Sequence, residues 1–307
     1  MTRVSNFAQS QALITEVLKV QERLFESQRK VVTGKIAETY KDLPRDSVVL
    51  LGAKTVESRT VQYQRTGVEL ERRLKVYDLQ INELANIAVD VRQEVIGSTA
   101  TRSGLSLMER VDALFQQAVR VLNTTLDGNY MFSGTQTDTP PVNISTLGEL
   151  IALPTAADAF DNSLQKLSAQ ADDTFVMEYG VLASEAAESL FAAIKRVAEF
   201  DAGPSGPFSS QLTEVQRNFL LGELPVHIQI IDNLQLEVAK VGTDQQVLDE
   251  ITFRHIETLN FTKLFISDIE DADAAEAVAN LNQDQLALEG SFRVLAQITR
   301  LSLLDFL

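Results

Sequence analysis

The side chains best suited to metal or acid–base chemistry are two histidines, His227 and His255, and they stand 28 residues apart. Neither is accompanied by a cluster of ligands at metal-site spacing. His255 falls on a heptad seam and reads as a packed or interface histidine. The acidic run Asp268, Glu270, Asp271, Asp273 and Glu276 suggests a hard cation. It lacks the turn glycine and alternating oxygen donors of a calcium loop, so solvated acids at a helix junction fit it better. Gly128 to Gly134 is glycine-rich, but no lysine follows it and no strong strand precedes it, and a turn is the better reading. No serine–glycine elbow, phosphate loop or dinucleotide fingerprint appears. With 43 Asp and Glu, neighbouring carboxylates carry no information about hydrolysis, and with no Cys there is no thiol nucleophile. The expectation is a chain without catalysis, cofactor or metal.

Such a chain must work through its surfaces, and its elements are those of long helices. Its 307 residues are 45% hydrophobic and 23% charged, with no Trp, 14 Gly and 7 Pro. Scarce turn formers favour helices over a sheet-rich fold. The net charge of −16 disfavours nucleic acid and anionic membranes as partners. No run approaches the length of apolar sequence a membrane span needs. The first twenty residues lack the basic segment, apolar core and cleavage site of a Sec-type signal.

Val4, Phe7, Ile14, Leu18, Phe25 and Val32 follow steps of three and four, and the run stops at Thr33-Gly34, with Gly34 placed as a helix C-cap. A second stripe starts near Val48 and is most regular from Leu70 through Leu74, Tyr77, Ile81, Leu84, Ala88 and Val91 to Val95. Alternating steps of four and three mark a helix packed lengthwise on others. Ile96-Gly97-Ser98-Thr99 predicts an interruption, and the stripe resumes through Leu107, Val111, Leu114, Ala118 and Val121. Glycine, threonine, proline and aromatics then predict turns and short strands from Gly128. Within this region a helix is expected through Leu182, Ala186, Leu190, Ile194 and Val197. Helical spacing returns after Ser210, with Pro225 as a start or a kink. A last helix opens at Asp271 or Asp273 and carries Val278, Leu281, Leu288, Phe292 and Leu295.

The expected fold is mainly α: an elongated antiparallel helical bundle or coiled coil from the N- and C-terminal halves, with a small inserted α+β domain. The divisions expected are 1–47, 48–139, 140–207 (the insert), 208–270 and 271–307. Gln11, Gln21, Gln28, Gln285 and Thr299 dilute the stripes of the first and last helices. Polar seam residues lower stability and help fix register and partner. Such helices suit either the outside of a monomeric bundle or a polymer whose contacts order the chain ends.

Val31-Val32-Thr33-Gly34-Lys35 with Asp46, the block VGTDQQVLDE and the closing stretch NLNQDQLALEGSFRVLAQITRLSLLDFL resemble the bacterial flagellin family. Gly128-Asn129-Tyr130-Met131-Phe132-Ser133-Gly134 leading into prolines, the junction Ile269 to Asp273, and the ending Asp305-Phe306-Leu307 are similar to its hook–filament junction branch. The resemblance covers roughly residues 1–140 and 210–307. It implies a structural subunit at the junction of hook and filament, exported by a type III route and extracellular in the flagellum. It also implies assembly through Phe7, Ile14, Leu18, Phe25, Leu281, Leu288, Phe292, Leu295, Leu303 and Leu304. The partners implied are copies of the chain, another hook-associated protein, flagellin and a cytoplasmic export chaperone. Two alternatives stand beside it: a filament flagellin proper, and a cytoplasmic coiled-coil adaptor.

Overall fold

The computed structural model describes residues 2–37, 39 and 47–304, with side chains described from 11 to 297 within those bounds. Asp46, the ending Asp305-Phe306-Leu307 and the side chains of Val4, Phe7, Thr299, Leu303 and Leu304 lie outside the described residues. The elements are α1 (Thr2–Thr33), α2 (Ser47–Thr101), α3 (Leu107–Leu122), β1 (Thr125–Leu126), β2 (Asn129–Tyr130), α4 (Leu147–Ala152), β3 (Leu167–Asp172), β4 (Phe175–Tyr179), α5 (Ala183–Ala202), α6 (Glu214–Glu270) and α7 (Ala274–Leu304). The chain is mainly helical, as expected, with two short hairpins between α3 and α5. Two compact units divide it: Met1–Thr60 with Glu257–Leu307, and Val61–Ile256.

In the second unit the heptad stripe of α2 is the core. Leu74, Ile81, Leu84, Ala88 and Val95 have no exposed surface, and Leu70, Tyr77 and Val91 have almost none. α6 runs antiparallel to α2: Tyr63 stacks on His255 at 5.8 Å, and Gly67 lies against Leu248 and Thr252. Pro225 sits inside α6, eleven residues after its start, so it marks no helix beginning. The interruption expected at Ile96 to Thr99 falls further on. Those residues stay helical, and the break comes after Thr101, at Arg102 with φ 54°. The cause is tertiary: the Gly104 N–H donates to Ser209 O at 2.8 Å, and the Leu212 N–H donates to Arg102 O at 2.9 Å. A Cβ at Gly104 would meet Phe208 and Leu212 at under 3 Å, so this crossing needs glycine.

β1 and β2 are joined by Asp127-Gly128, both at positive φ, the two-residue turn whose twist matches a hairpin. Arg72 of α2 pairs with Asp127 and fixes the hairpin to the helix. Tyr77 donates from its hydroxyl to Met131 O, tying the following turn to α2 as well. β3 and β4 form an antiparallel hairpin whose tip is held by Tyr63 Oη donating to Asp173 at 2.9 Å. α5 packs through Phe191, whose ring lies 4.9 Å from Phe115 and 5.1 Å from Phe160. Buried Lys195 donates to the carbonyls of Leu150, Ile151 and Leu153, satisfying the end of α4. His227 is fully buried, and burial pushes its pKa below the ordinary histidine value. Four residues before it, Glu223 is already engaged by Arg196 at 2.8 Å.

Candidate assembly interface

The first unit is built on α1 and α7, which lie antiparallel along one seam. α1 ends where the sequence places its cap. Gly34 has φ +67°, and its N–H donates to Lys30 O at 2.9 Å, the turn that a residue with Cβ adopts only under strain. α7 begins on Asp273, whose Oδ1 accepts from the N–H groups of Ala275 (2.8 Å) and Glu276 (3.2 Å). Of the two helix starts expected, Asp273 is therefore the cap. Asp271 instead bridges Lys35 in a short antiparallel contact.

The seam is narrow. On α1 only Val17, Val20 and Ser27 are fully buried among the described side chains, with Leu13 and Leu24 half-buried beside them. On α7 only Ala277 is fully buried among the described side chains, with Leu281, Leu288 and Leu295 half-buried. Its centre is polar: the Ser27 hydroxyl donates to Asp284 Oδ2 at 2.6 Å, and Arg23 approaches the same carboxylate at 3.9 Å.

The stripe that periodicity picks out on α1 is not this seam. Ile14 is 49% exposed, Leu18 58%, Phe25 69% and Val32 84%. At 3.6 residues per turn these positions lie roughly 100° round the helix from Val17 and Leu24. On α7, Phe292 and Val278 are exposed, and counting round the helix from Ala277 and Leu288 puts them on the same side of the pair. The register set by Ser27 and Asp284 brings Leu18 level with Phe292 and Val32 level with Val278. One flank of the pair is therefore a long uncovered apolar strip. The other flank is a polar groove of about 320 Å³ lined by Arg23, Glu26, Lys30, Asn280 and Gln283, among others.

Of the ten interface residues expected from the sequence, the structure places Ile14, Leu18, Phe25 and Phe292 on the exposed flank. It places Leu281, Leu288 and Leu295 partly in the seam, and the side chains of Phe7, Leu303 and Leu304 are outside the described residues. Sequence reasoning missed Ser27 and Asp284, since a hydrogen bond across 257 residues leaves no local signal. Among the described residues no group of three His, Asp or Glu is placed to hold a metal ion, and no helix is long and apolar enough to cross a membrane.

Paired terminal helices with one bare apolar flank present a surface of the kind that packs against another protein. Residues 228–307 match the bacterial flagellin C-terminal helical region. The fold is shared with a putative flagellar hook-associated protein from Vibrio parahaemolyticus, at 17% identity and a TM-score of 0.60, over 75% of this chain and 100% of that one. It is shared also with Bacillus cereus FlgL, at 11% identity and a TM-score of 0.53, over 71% of this chain and 98% of that one. No curated protein sequence matches the chain. The C-terminal part thus resembles the flagellin C-terminal helical region, and the fold is shared with these two solved flagellar proteins.

Proposed function

We propose that this chain is a non-enzymatic structural subunit of the bacterial flagellum, forming the junction zone between hook and filament. Its α1·α7 pair docks through the apolar flank onto copies of itself and onto neighbouring axial proteins, another hook-associated protein and flagellin among them. The chain reaches the outside of the cell by a type III route, with a cytoplasmic chaperone holding it before export.

The observation that carries this reading is the bare flank of Ile14, Leu18, Phe25 and Val32 on a helix whose own seam is thin. Burying one such side chain contributes about 1.5–3 kcal/mol, so covering four of them gives an association of useful strength. The flagellin-like C-terminal region and the hook-associated fold supply the setting. The sequence pattern adds Phe7, Leu303 and Leu304 to the proposed contacts, and Leu281, Leu288 and Leu295 support the pair from its seam.

Cell fractionation tests the setting: the protein is expected in purified hook–filament material, and recovery only in the soluble lysate would favour a coiled-coil adaptor instead. Counting copies per flagellum then separates the two flagellar readings. A few to a few tens indicate a junction, whereas thousands indicate filament. Deletion of the gene is expected to leave bare hooks, with filament protein shed into the medium.

A further inference from the structure

Glu270, the last residue of α6, is a charged side chain that the proposed interface does not use. It is 9% exposed, and its Oε1 accepts from Lys54 Nζ at 2.7 Å and from Lys35 Nζ at 3.0 Å. Lys54 belongs to the early part of α2 and Lys35 to the turn after α1, so one carboxylate gathers three segments of the first unit. The backbone meets at the same place. The Ile36 N–H donates to Glu270 O at 2.8 Å, and the Ala272 N–H donates to Gly34 O at 2.8 Å. The Lys54 hydrogen bond, with Lys35 adding to it, holds the Glu270 carboxyl below the ordinary carboxylate range. The anion, not the acid, is therefore the form this junction is built around.

We infer that Glu270 is a positioning residue for assembly: by clasping Lys35 and Lys54 it holds the α1·α7 pair together in the free subunit. The thin seam of that pair supplies little cohesion of its own, with three wholly buried aliphatic side chains among those described. The clasp closes it at the end where both helices meet the rest of the unit. Taking away the carboxylate removes the acceptor that Lys35 and Lys54 share, and so loosens the turn after α1 from α2. This rests on the reading of α1·α7 as the docking element only for its consequence, since the clasp itself is measured in the unassembled chain.

The test is hydrogen exchange, followed by mass spectrometry, on the full chain at a dilution where it is monomeric. Glu270→Gln is expected to speed exchange in 2–33 and 274–304 roughly tenfold, the scale of losing a part-buried charged hydrogen bond, while α5 is unchanged. The triple reversal Glu270→Lys with Lys35→Glu and Lys54→Glu is expected to bring exchange back towards the parent. A structural role indifferent to charge would show no such rescue. The inference is overturned if Glu270→Gln leaves both helices exchanging as in the parent, if the reversal exchanges as fast as Glu270→Gln, or if the parent helices already exchange without protection. Phe25→Asp distinguishes the two claims: it is expected to stop docking while leaving monomer exchange at the clasp as it is.

Discussion

The two units solve opposite problems with the same helical material. The second, Val61–Ile256, buries the whole α2 stripe and seals it with α3, α5 and α6. The first, Met1–Thr60 with Glu257–Leu307, pairs α1 and α7 along a seam centred on Ser27 and Asp284 and leaves larger side chains bare beside it. Charge divides the same way. The second unit holds 14 basic and 27 acidic side chains and the first 13 and 16, so most of the net −16 lies in the second. A dense, strongly acidic body resists association, whereas a nearly neutral pair with an apolar flank invites it. Stability and stickiness have been given to different parts of one chain.

The sharpest way to break this contrast is to charge the flank. Leu18→Asp with Phe25→Asp is expected to raise the concentration needed for assembly by at least about a hundredfold, because burying an unpaired charge costs several kcal/mol. The monomer should keep its helical content. Light scattering and circular dichroism read the two halves of that statement, and assembly at the parent concentration would refute it. Trimming 1–35 or 285–307 should act in the same direction.

Next in size is the core of the second unit. Phe191→Ala removes the ring that touches Phe115 and Phe160 and should cost about 3–5 kcal/mol, seen as a lower urea midpoint. Exchange in α1 and α7 should be unchanged if the two units unfold independently. Gly134→Ala is expected to cost about 2–3 kcal/mol in the same assay. Its φ is +64°, and an added Cβ collides with Gln165 O. A midpoint like the parent's would mean that this turn relaxes freely.

Acid separates the units more gently. Burial holds the His227 pKa below 6.5, so the unfolded chain takes up the proton first. Stability of the second unit should therefore fall as pH drops below about 6.5. Glu223, Arg196 and Arg92 face this imidazole, and Glu223 is already committed to Arg196. Replacing His227 with Leu should flatten the pH dependence of the urea midpoint between pH 7 and 5, and an unaltered slope would place the effect elsewhere. Smallest of all, Ser27→Ala should weaken the α1·α7 seam by about 1 kcal/mol, read as faster exchange in those two helices alone.

How much of this was legible in the sequence follows the same divide. In the second unit every member of the stripe from Leu70 to Val95 is buried, because a wide apolar face has only one place to go. The cap at Gly34 and the start at Asp273 were also readable, since both are local chemistry. The break after Thr101 was not, because it is made by hydrogen bonds from residues a hundred positions later. On α1 the spacing of Phe7, Ile14, Leu18, Phe25 and Val32 is real, yet a neighbouring face carries Leu13, Val17, Val20 and Leu24. Periodicity finds apolar faces and cannot say which partner covers each. The clasp at Glu270 left no trace in spacing, since its lysines lie more than two hundred residues away.

The bond from Ser27 to Asp284 spans 257 residues of chain. On a ribosome adding about 5–20 residues per second, α1 waits on the order of ten to fifty seconds for its mate to be made. The acidic body between them is itself complete only at Ile256, shortly before Asp284 is made. For most of that interval a helix with a bare apolar flank hangs from an unfinished chain, and the cell has to keep such nascent chains from finding one another too early.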